Sequence, residues 1–219
     1  MSSTKVSKRD ISKPRARDLF ESSASKSQIQ QLRIIEAALE SFSKHGIEKT
    51  TYTNLAKRCK ISRPLIHHYF PTLEDLFLLA AKYVRKTLLN LALEEMTKAK
   101  PDSRSQIEAY ARGCIRWVKE FPEQNSFWLL YFYQCSLKGL AREENTKLVQ
   151  AGHERIRMLI EMGNKEKTWA VSKPVEVAKT VQLLITGTLV SLMSEDAYLT
   201  AGRAESLLLN GFNSLLLQK

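Results

Sequence analysis

The sequence predicts an all-α protein in which a small three-helix unit precedes a larger helical domain. Apolar residues recur at helical spacing along nearly the whole chain after residue 27, and no segment alternates polar and apolar residues like a half-buried strand. Proline and glycine residues separate the periodic segments. The 219 residues, 43% apolar and 26% charged, are typical of a folded globular protein with room for two domains.

Residues 1–27 are predicted to form a basic, flexible tail. They are rich in serine, lysine and arginine, contain Pro14 and have no apolar periodicity. Seven Lys/Arg stand against three Asp/Glu here, and the same numbers occur in residues 28–72. Most of the formal net charge of +11 therefore lies in the N-terminal third, where it favours contact with a polyanion.

An amphipathic helix follows the tail. Ser27 and Gln30 have the spacing of a capping box, which predicts the helix start, and Gly46 predicts its end. Between them, apolar side chains recur at steps of three and four residues: Leu32, Ile35, Leu39 and Phe42.

Two short helices are expected next. Thr51 can cap the first and Ser62 the second, and only Cys59 to Ile61 lie between them. Two short helices joined by such a turn, with a longer helix bracing both, form the plan of a helix-turn-helix. We therefore predict a helix-turn-helix domain over residues 28–72.

The remaining residues, 73–219, are predicted to form one larger helical domain. Thr72 and Asp75 start a long fourth helix that ends near Pro101. Further helical patterns cover residues 103–120, 125–139, 143–163, 174–197 and 202–217.

The helix-turn-helix segment has a recognisable pattern of residues. It consists of IIEAALESFSKHG at 34–46, the pairs Thr50-Thr51 and Leu55-Ala56, and ISRPLIHHYFPTLEDL at 61–76. In order and spacing, residues 30–78 resemble the DNA-binding domain of the TetR family of transcriptional repressors. The resemblance implies a homodimer that binds a palindromic operator, holds effectors among its middle helices and dimerises through its last two helices.

Four positions depart from the family's usual pattern. Lys60 stands where the family usually has glycine in the turn, which strains the backbone if that position is left-handed. His67 replaces a tyrosine, and Leu73 replaces a lysine that commonly contacts phosphate. Pro64 replaces a glycine at little cost, because the N–H of a first-turn residue lacks an intrahelical partner. These departures concern which operator is bound rather than whether DNA is bound.

The predicted DNA contacts lie on the second and third helices and the turn between them. They are Thr51, Lys57, Lys60, Ser62, Arg63, Pro64, Leu65, His67, His68 and Tyr69. Arg63 is placed to pair with guanine in the major groove, and the alternatives are a phosphate contact or a solvated side chain. The basic tail either enters a neighbouring minor groove or makes no contact.

The other predicted contacts fix the protein on the duplex. The resemblance implies that Thr51 and Tyr69 contact phosphates, and Thr51 can also cap its helix. Lys57 and Lys60 would strengthen binding without sequence preference, or simply face solvent. His67 and His68 are expected to contact bases or phosphates, unless one of them packs on the fourth helix.

An aromatic segment in the middle of the larger domain is the candidate effector site. Residues 127–135 are apolar around nearly the whole helix, so this helix is expected to be buried on several sides. Core packing alone explains that pattern. The alternative is a chamber for a small apolar or aromatic effector, lined by Trp117, Trp128, Tyr131, Phe132 and Cys135.

The last two helices carry more apolar positions than one core requires, which predicts a dimer interface, with a monomer core as the alternative. Gly187 and Gly211 would permit close helix approach. The predicted interface residues are Val181, Leu184, Gly187, Thr188, Leu192, Leu208, Gly211 and Leu215.

Other function classes find no support in the sequence. Cys59, Cys114 and Cys135 lack metal-ligand spacing and indicate a reduced cytoplasm, and no cofactor motif, metal site or catalytic motif occurs. The longest uncharged run, Thr180 to Ser194, is shorter than a bilayer-spanning helix, so no membrane association is expected. We expect a cytoplasmic homodimer that binds double-stranded operator DNA and represses transcription until an effector binds. The alternatives are a regulator without an effector, an activator, or a basic protein on a membrane surface.

Overall fold

The computed structural model describes residues 25–137, 139–194 and 199–217, and these ranges contain nine α-helices and no strand. The all-α prediction is confirmed. Up to residue 24, the predicted basic tail lies outside the described residues. The helices are α1 (Lys26–His45), α2 (Tyr52–Cys59), α3 (Arg63–Tyr69), α4 (Leu73–Lys98), α5 (Ser103–Glu120), α6 (Pro122–Ser136), α7 (Leu140–Lys165), α8 (Pro174–Met193) and α9 (Ala201–Leu216).

The first helix starts earlier than predicted. Its capping box is formed by Ser25 and Gln28: the Gln28 N–H donates to Ser25 Oγ at 3.2 Å, and the Ser25 N–H donates to Gln28 Oε1 at 2.8 Å. The predicted box at Ser27 and Gln30 is therefore wrong by two residues. The same Ser-x-x-Gln spacing occurs twice here, and spacing alone does not choose between them.

Two later boundaries also shift by three residues. α6 begins at Pro122 instead of residue 125, because proline at the first helical position loses no intrahelical hydrogen bond. α7 begins at Leu140 instead of residue 143. It follows Gly139, whose φ of 140° is a conformation that favours glycine.

The N-terminal helices α1, α2 and α3 pack around a small shared core. Ile34, Leu55 and Ile66 contribute one fully buried side chain from each helix. The Tyr52 hydroxyl donates to the Phe70 carbonyl at 2.6 Å, which ties the start of α2 to the end of α3. The orientation of the seven-residue α3 is thus set by tertiary contacts rather than by its own length.

The fourth helix joins this unit to the rest of the chain. Thr72 and Asp75 form the predicted capping box at its start, and Phe77, one turn later, is buried against α1. The Phe77 ring meets Phe42 edge-on, with 5.4 Å between ring centroids. Further along, the buried Tyr83 hydroxyl interacts with Glu36 of α1, and burial raises the pKa of Tyr83. α1 and α4 therefore share one continuous contact.

The larger domain is a helical bundle with α5 at its centre. α5 packs against α4, α7, α8 and α9. Its contact with α4 is backbone to backbone at Gly113, where an added Cβ would lie only 2.4 Å from the Ala92 Cα. Glycine is therefore required by this close approach.

The eighth helix is unusually apolar. Within the described residues, α8 is the one helix long and apolar enough to cross a membrane, although core helices of soluble proteins meet the same criterion. α8 also contains Glu176 and Lys179, which precede the uncharged run that begins at Thr180. Only 22% of its most apolar window is buried within the chain, so α8 presents an apolar face that the chain itself does not cover.

Replacing Gly113 by alanine is expected to lower the free energy of unfolding by about 1–3 kcal/mol, because the new methyl group must push α4 and α5 apart. Urea denaturation followed by circular dichroism measures the change.

Gly202→Ala is the matched control, since Gly202 also lies in a helix but an added Cβ there meets nothing within 4 Å. We expect this variant to equal or exceed the wild type in stability. Equal stabilities for the two variants would contradict the proposed tight contact at Gly113.

Candidate nucleic-acid interface

The turn between α2 and α3 is built by local capping, as predicted. Thr51 Oγ1 accepts from the Asn54 N–H at 3.2 Å, and Ser62 Oγ accepts from the Leu65 N–H at 3.4 Å. Between the two helices, Lys60 adopts the left-handed conformation with φ 55° and ψ 48°. The strain anticipated for a non-glycine residue at this turn is therefore present.

The third helix presents a polar face to solvent. Arg63, Pro64, His67 and His68 are exposed, whereas Ile66 on the opposite side is fully buried. Arg63 is the first residue of the helix. In helix-turn-helix proteins, residues at this end of the second helix contact base edges. The exposed face therefore has the shape and chemistry required to contact base edges.

Three other predicted contact residues have neighbours within the chain. The His67 ring packs edge-on against Tyr52, with centroids 4.2 Å apart, so its orientation is set by α2 rather than by α4. Tyr69 is half-buried, and its hydroxyl accepts from Ser27 Oγ at 3.4 Å. Leu65 is half-buried as well. Tyr69 therefore connects α3 to α1 besides being available for a phosphate.

The basic residues at the end of α2 divide into two groups. Lys57 and Lys60 are exposed, and in the described part of the chain neither forms an ion pair. Arg58 instead pairs with Glu40 of α1, which also binds Lys44 at 2.8 Å. The Arg58 hydrogen bond lowers the pKa of Glu40 to about 2. Arg58 therefore fixes α2 on α1, while the two lysines stay free for a polyanion.

The five predicted effector residues do gather in one place. Trp128 stacks on Tyr131 at 5.1 Å between centroids and meets Trp117 and Phe132 edge-on at 6.1 and 5.4 Å. Cys135 Sγ and the Tyr131 hydroxyl both lie 3.4 Å from the carbonyl oxygen of Ala141. The rings fill the space between them by contacting one another, so an apolar ligand needs rearrangement to enter.

A separate depression in the surface lies away from this cluster, between the start of α5 and the end of α9. Its lining includes Arg104, Ile107, Trp169 and Phe212, and it encloses about 240 Å³, part of it open to solvent. None of the five predicted effector residues lines it.

The aromatic cluster continues to α1 through phenylalanines that the sequence did not mark as part of a functional site. Phe127 of α6 lies 5.1 Å from Phe77 and 6.1 Å from Phe42, and Phe77 lies 6.2 Å from Tyr131, all between centroids. Each phenylalanine occupies an ordinary apolar position of its helix, so sequence spacing did not reveal which helices they join.

The predicted dimer residues fall into two groups. Val181 and Leu208 are 0% and 3% exposed, which places them in the core of the chain and corrects their assignment to its outer surface. Thr188, Leu192, Gly211 and Leu215 are half-buried, whereas Leu184 and Gly187 are exposed. Leu184 also packs against Gly211 within the chain, because its Cδ1 lies 3.3 Å from the position of a Cβ there.

The uncovered face of α8 and α9 contains leucines that the prediction omitted. Leu183 is 71% exposed and Leu207 is 55% exposed. Because α8 is apolar on nearly all sides, the sequence did not distinguish its inward stripe from its outward one.

Comparison with known proteins agrees with this geometry. Residues 34–80 match the profile of the bacterial regulatory proteins of the tetR family. This segment of the chain is therefore similar to the N-terminal domain of that family. The match spans α1 from Ile34, the helix-turn-helix and the first turns of α4, and it includes every predicted DNA-contact residue.

Similar proteins extend the comparison beyond this segment. The HTH-type transcriptional regulator BetI of Burkholderia cenocepacia is 28% identical over 107 residues, which cover 49% of this chain and 55% of BetI. The chain thus spans about half the length of the curated relatives it matches.

Solved structures share the fold. A putative transcriptional regulator from Saccharomonospora viridis, in complex with choline, has a TM-score of 0.74 at 19% identity, covering 86% of this chain and 98% of that one. A putative regulator from Pseudomonas aeruginosa has a TM-score of 0.77 at 15% identity, covering 88% and 93%. The helical fold of this chain is therefore shared over most of its length.

Replacing Lys60 by glycine is expected to raise the free energy of unfolding by about 0.5–1 kcal/mol, because glycine adopts the left-handed turn without strain. Thermal and urea denaturation measure the change. The same substitution should weaken DNA binding, since one cation is lost.

Lys60→Ala is the control for charge, because it removes the same cation but keeps a side chain at positive φ. It should weaken DNA binding equally without raising stability. A glycine variant no more stable than the alanine variant would show that the turn carries no strain.

Proposed function

We propose that this protein is a transcriptional regulator that binds a palindromic operator as a homodimer and represses transcription until a small molecule releases it from DNA. The single observation that carries the proposal is the exposed polar face of α3, which contacts with α1 and α2 hold in place. Its tetR-family match supports the DNA-binding step, and the BetI relatives are themselves transcriptional regulators. A cytoplasmic location follows from that role.

The DNA contacts divide by chemistry. Arg63 can donate two parallel hydrogen bonds to the O6 and N7 atoms of guanine, the pairing that best distinguishes guanine in the major groove. Lys57 and Lys60 lie one turn or less from the end of α2 and would neutralise phosphates irrespective of sequence. His67, held against Tyr52, presents its ring at a fixed angle on the same face.

The dimer is proposed to form through the outward face of α8 and α9. Leu183, Leu184 and Leu207 offer apolar area that the chain leaves in water, and Gly187 has nothing within 4 Å of an added Cβ. A second copy related by a twofold axis would cover this face with its own equivalent helices. Two linked recognition helices then bind two half-sites far more tightly than one does.

Coupling between ligand and DNA is proposed to pass through α4. This helix contacts α1 at Phe77 and lies against the aromatic cluster at the same position, since Phe77 is near both Phe42 and Tyr131. A ligand that prefers a different placement of the cluster would shift α4 and with it the spacing of the two recognition helices. The choline bound by the Saccharomonospora viridis structure supports a small-molecule role for this fold.

A regulator without any effector is the second candidate. The observation that favours it is the close packing of Trp117, Trp128, Tyr131 and Phe132 ring against ring. Under this alternative, the cluster is structural and no small molecule changes operator affinity. Operator binding measured with a compound library separates the two candidates.

Replacing Arg63 by alanine is expected to relax the preference at one base pair of each half-site by about 1–3 kcal/mol. The operator is first obtained by selecting bound duplexes from random DNA, and affinities are then measured for selected and scrambled duplexes at several salt concentrations. A wild-type dimer that neutralises about 6–10 phosphates should lose affinity steeply with salt.

Lys57→Ala is the matched variant, since it removes one exposed cation from the neighbouring helix. It should weaken selected and scrambled duplexes alike and reduce the salt dependence by about one counterion. Equal losses on both duplexes for Arg63→Ala would rule out base recognition by Arg63.

Replacing Leu183 by glutamate should dissociate the dimer, because it places a charge at the most exposed leucine of the proposed interface. Sedimentation velocity measures the oligomeric state, and operator binding should weaken in parallel. Met158→Glu is the control, since Met158 is 59% exposed on α7, away from that face. A dimer that withstands the Leu183 variant places the interface elsewhere.

A further inference from the structure

Two arginines occupy inward positions in the larger domain. Arg85 of α4 is half-buried and follows the buried Ala81 by one helical turn. Arg155 of α7 is half-buried and precedes the fully buried Ile156. Charged residues at such positions are uncommon unless they are paired or bind something.

Both guanidinium groups lie near Tyr110, and Arg85 lies near Tyr131 as well. Arg155 Cζ lies 6.0 Å from the centroid of the Tyr110 ring on α5, and Tyr110 is 5% exposed. Arg85 lies within electrostatic range of Tyr110, of the fully buried Tyr131 on α6, and of Arg155 itself. The four side chains therefore come together from α4, α5, α6 and α7.

The surroundings of this cluster favour a negative charge. Burial lowers the pKa of Arg85, and the nearby Arg155 acts in the same direction. Burial also raises the pKa of Tyr110 to about 12, so its hydroxyl stays a neutral donor. Two like charges beside buried tyrosines repel each other more strongly than they would in water.

Among the described residues, the carboxylates relieve this repulsion only in small part. Within residues 25–137, 139–194 and 199–217, neither Arg85 nor Arg155 forms an ion pair. The charge of Glu144 raises the pKa of Arg85. This carboxylate already binds Lys82 at 3.3 Å and Lys147 at 3.1 Å. Arg157, two residues from Arg155, is by contrast paired with both Glu154 and Glu161.

We propose that the effector of this regulator is a small carboxylate with an apolar body, held between Arg85 and Arg155. The inference rests on the proposed function and names the chemical class of its ligand. The planar guanidinium groups match a carboxylate with paired N–H donors, and the Tyr110 hydroxyl supplies a further donor. The apolar body lies towards Trp128, which stacks on Tyr131.

The proposed ligand differs in charge from the choline of the Saccharomonospora viridis structure. A quaternary ammonium group is attracted to aromatic faces and to carboxylates. Here the aromatic cluster adjoins two guanidinium groups, which repel a cation. Choline is therefore expected to bind this chain poorly despite the shared fold.

The position of Arg85 gives the ligand a direct effect on α4. Arg85 is two turns beyond Phe77, the residue through which α4 contacts α1 and α6. One turn before Arg85, the Lys82 to Glu144 ion pair already links α4 to α7. A carboxylate between Arg85 and Arg155 would draw the same two helices together further along, and so change the angle of α4.

The test measures binding to the full-length dimer by tryptophan fluorescence and titration calorimetry. The probes are phenylacetate and decanoate, their neutral amides phenylacetamide and decanamide, and choline. Each acid is expected to bind at least about tenfold more tightly than its amide and than choline, because the charge-assisted hydrogen bonds are lost in the latter.

Three arginine variants locate the site. Arg85→Gln and Arg155→Gln should each weaken binding of the acids about tenfold or more, whereas Arg157→Gln removes a paired arginine of the same helix and should leave it unchanged. Acids that bind no better than their amides, or that lose affinity equally in all three variants, overturn the proposal.

Thermal denaturation of the ligand-free protein gives a second readout. If the arginine pair serves a ligand, Arg85→Met should melt at or above the wild-type temperature, because one of two repelling charges is removed. A variant that melts well below the wild type identifies Arg85 as a structural residue and overturns the proposal.

Operator binding in the same preparation separates this inference from the proposed function. Wild-type protein that binds its selected duplex but shows no preference for carboxylates refutes the anionic effector alone. Protein that binds carboxylates through Arg85 and Arg155 but no duplex refutes the proposed regulator and leaves the anion site standing.

Discussion

The packing of Phe77 between Phe42 and Phe127 is the contact on which the rest of the structure depends. These three rings come from α1, α4 and α6, and each is at most 3% exposed. Through these rings, the buried residues of α1, α2 and α3 and those of the later helices form one hydrophobic core. Because these contacts join α1 to both α4 and α6, a movement of either helix in the larger domain would be transmitted to the helix-turn-helix.

The cations of this chain serve three different purposes, and their pairing distinguishes them. Arg116 of α5 pairs with Glu94 and Glu95 of α4 and with Glu120 of its own helix. These pairs join α4 to α5 at the surface, where ion pairs contribute little stability. Lys57 and Lys60 face solvent without a carboxylate in the described ranges, as suits contact with phosphates. Arg85 and Arg155 lack one at half-buried positions, where an incoming anion is attracted more strongly than at the open surface.

Local signals in the sequence predicted the helix-turn-helix well. The capping residues Thr51, Ser62 and Thr72 act within three residues of themselves, so their roles follow from spacing alone. Contacts between distant helices could not be predicted in this way. Val181 was assigned to the surface because α8 is apolar on several sides, and Arg85 was overlooked because a charge in a helix ordinarily faces water. Whether a residue is buried depends on how the helices pack together, and the spacing of residues within one helix does not determine that packing.

The backbone contact between Gly113 and Ala92 also makes α4 a lever. With α4 held at Ala92, its freedom is a pivot about that point rather than a translation along α5. Arg85 lies about 10 Å from this fulcrum and Phe77 about 22 Å, at 1.5 Å per residue. A displacement applied at Arg85 is therefore roughly doubled at Phe77. A tilt of about 5° would move α4 at Phe77 by about 2 Å. In the proposed symmetric dimer, opposite movements of the two copies would change a half-site separation of about 34 Å by about 4 Å.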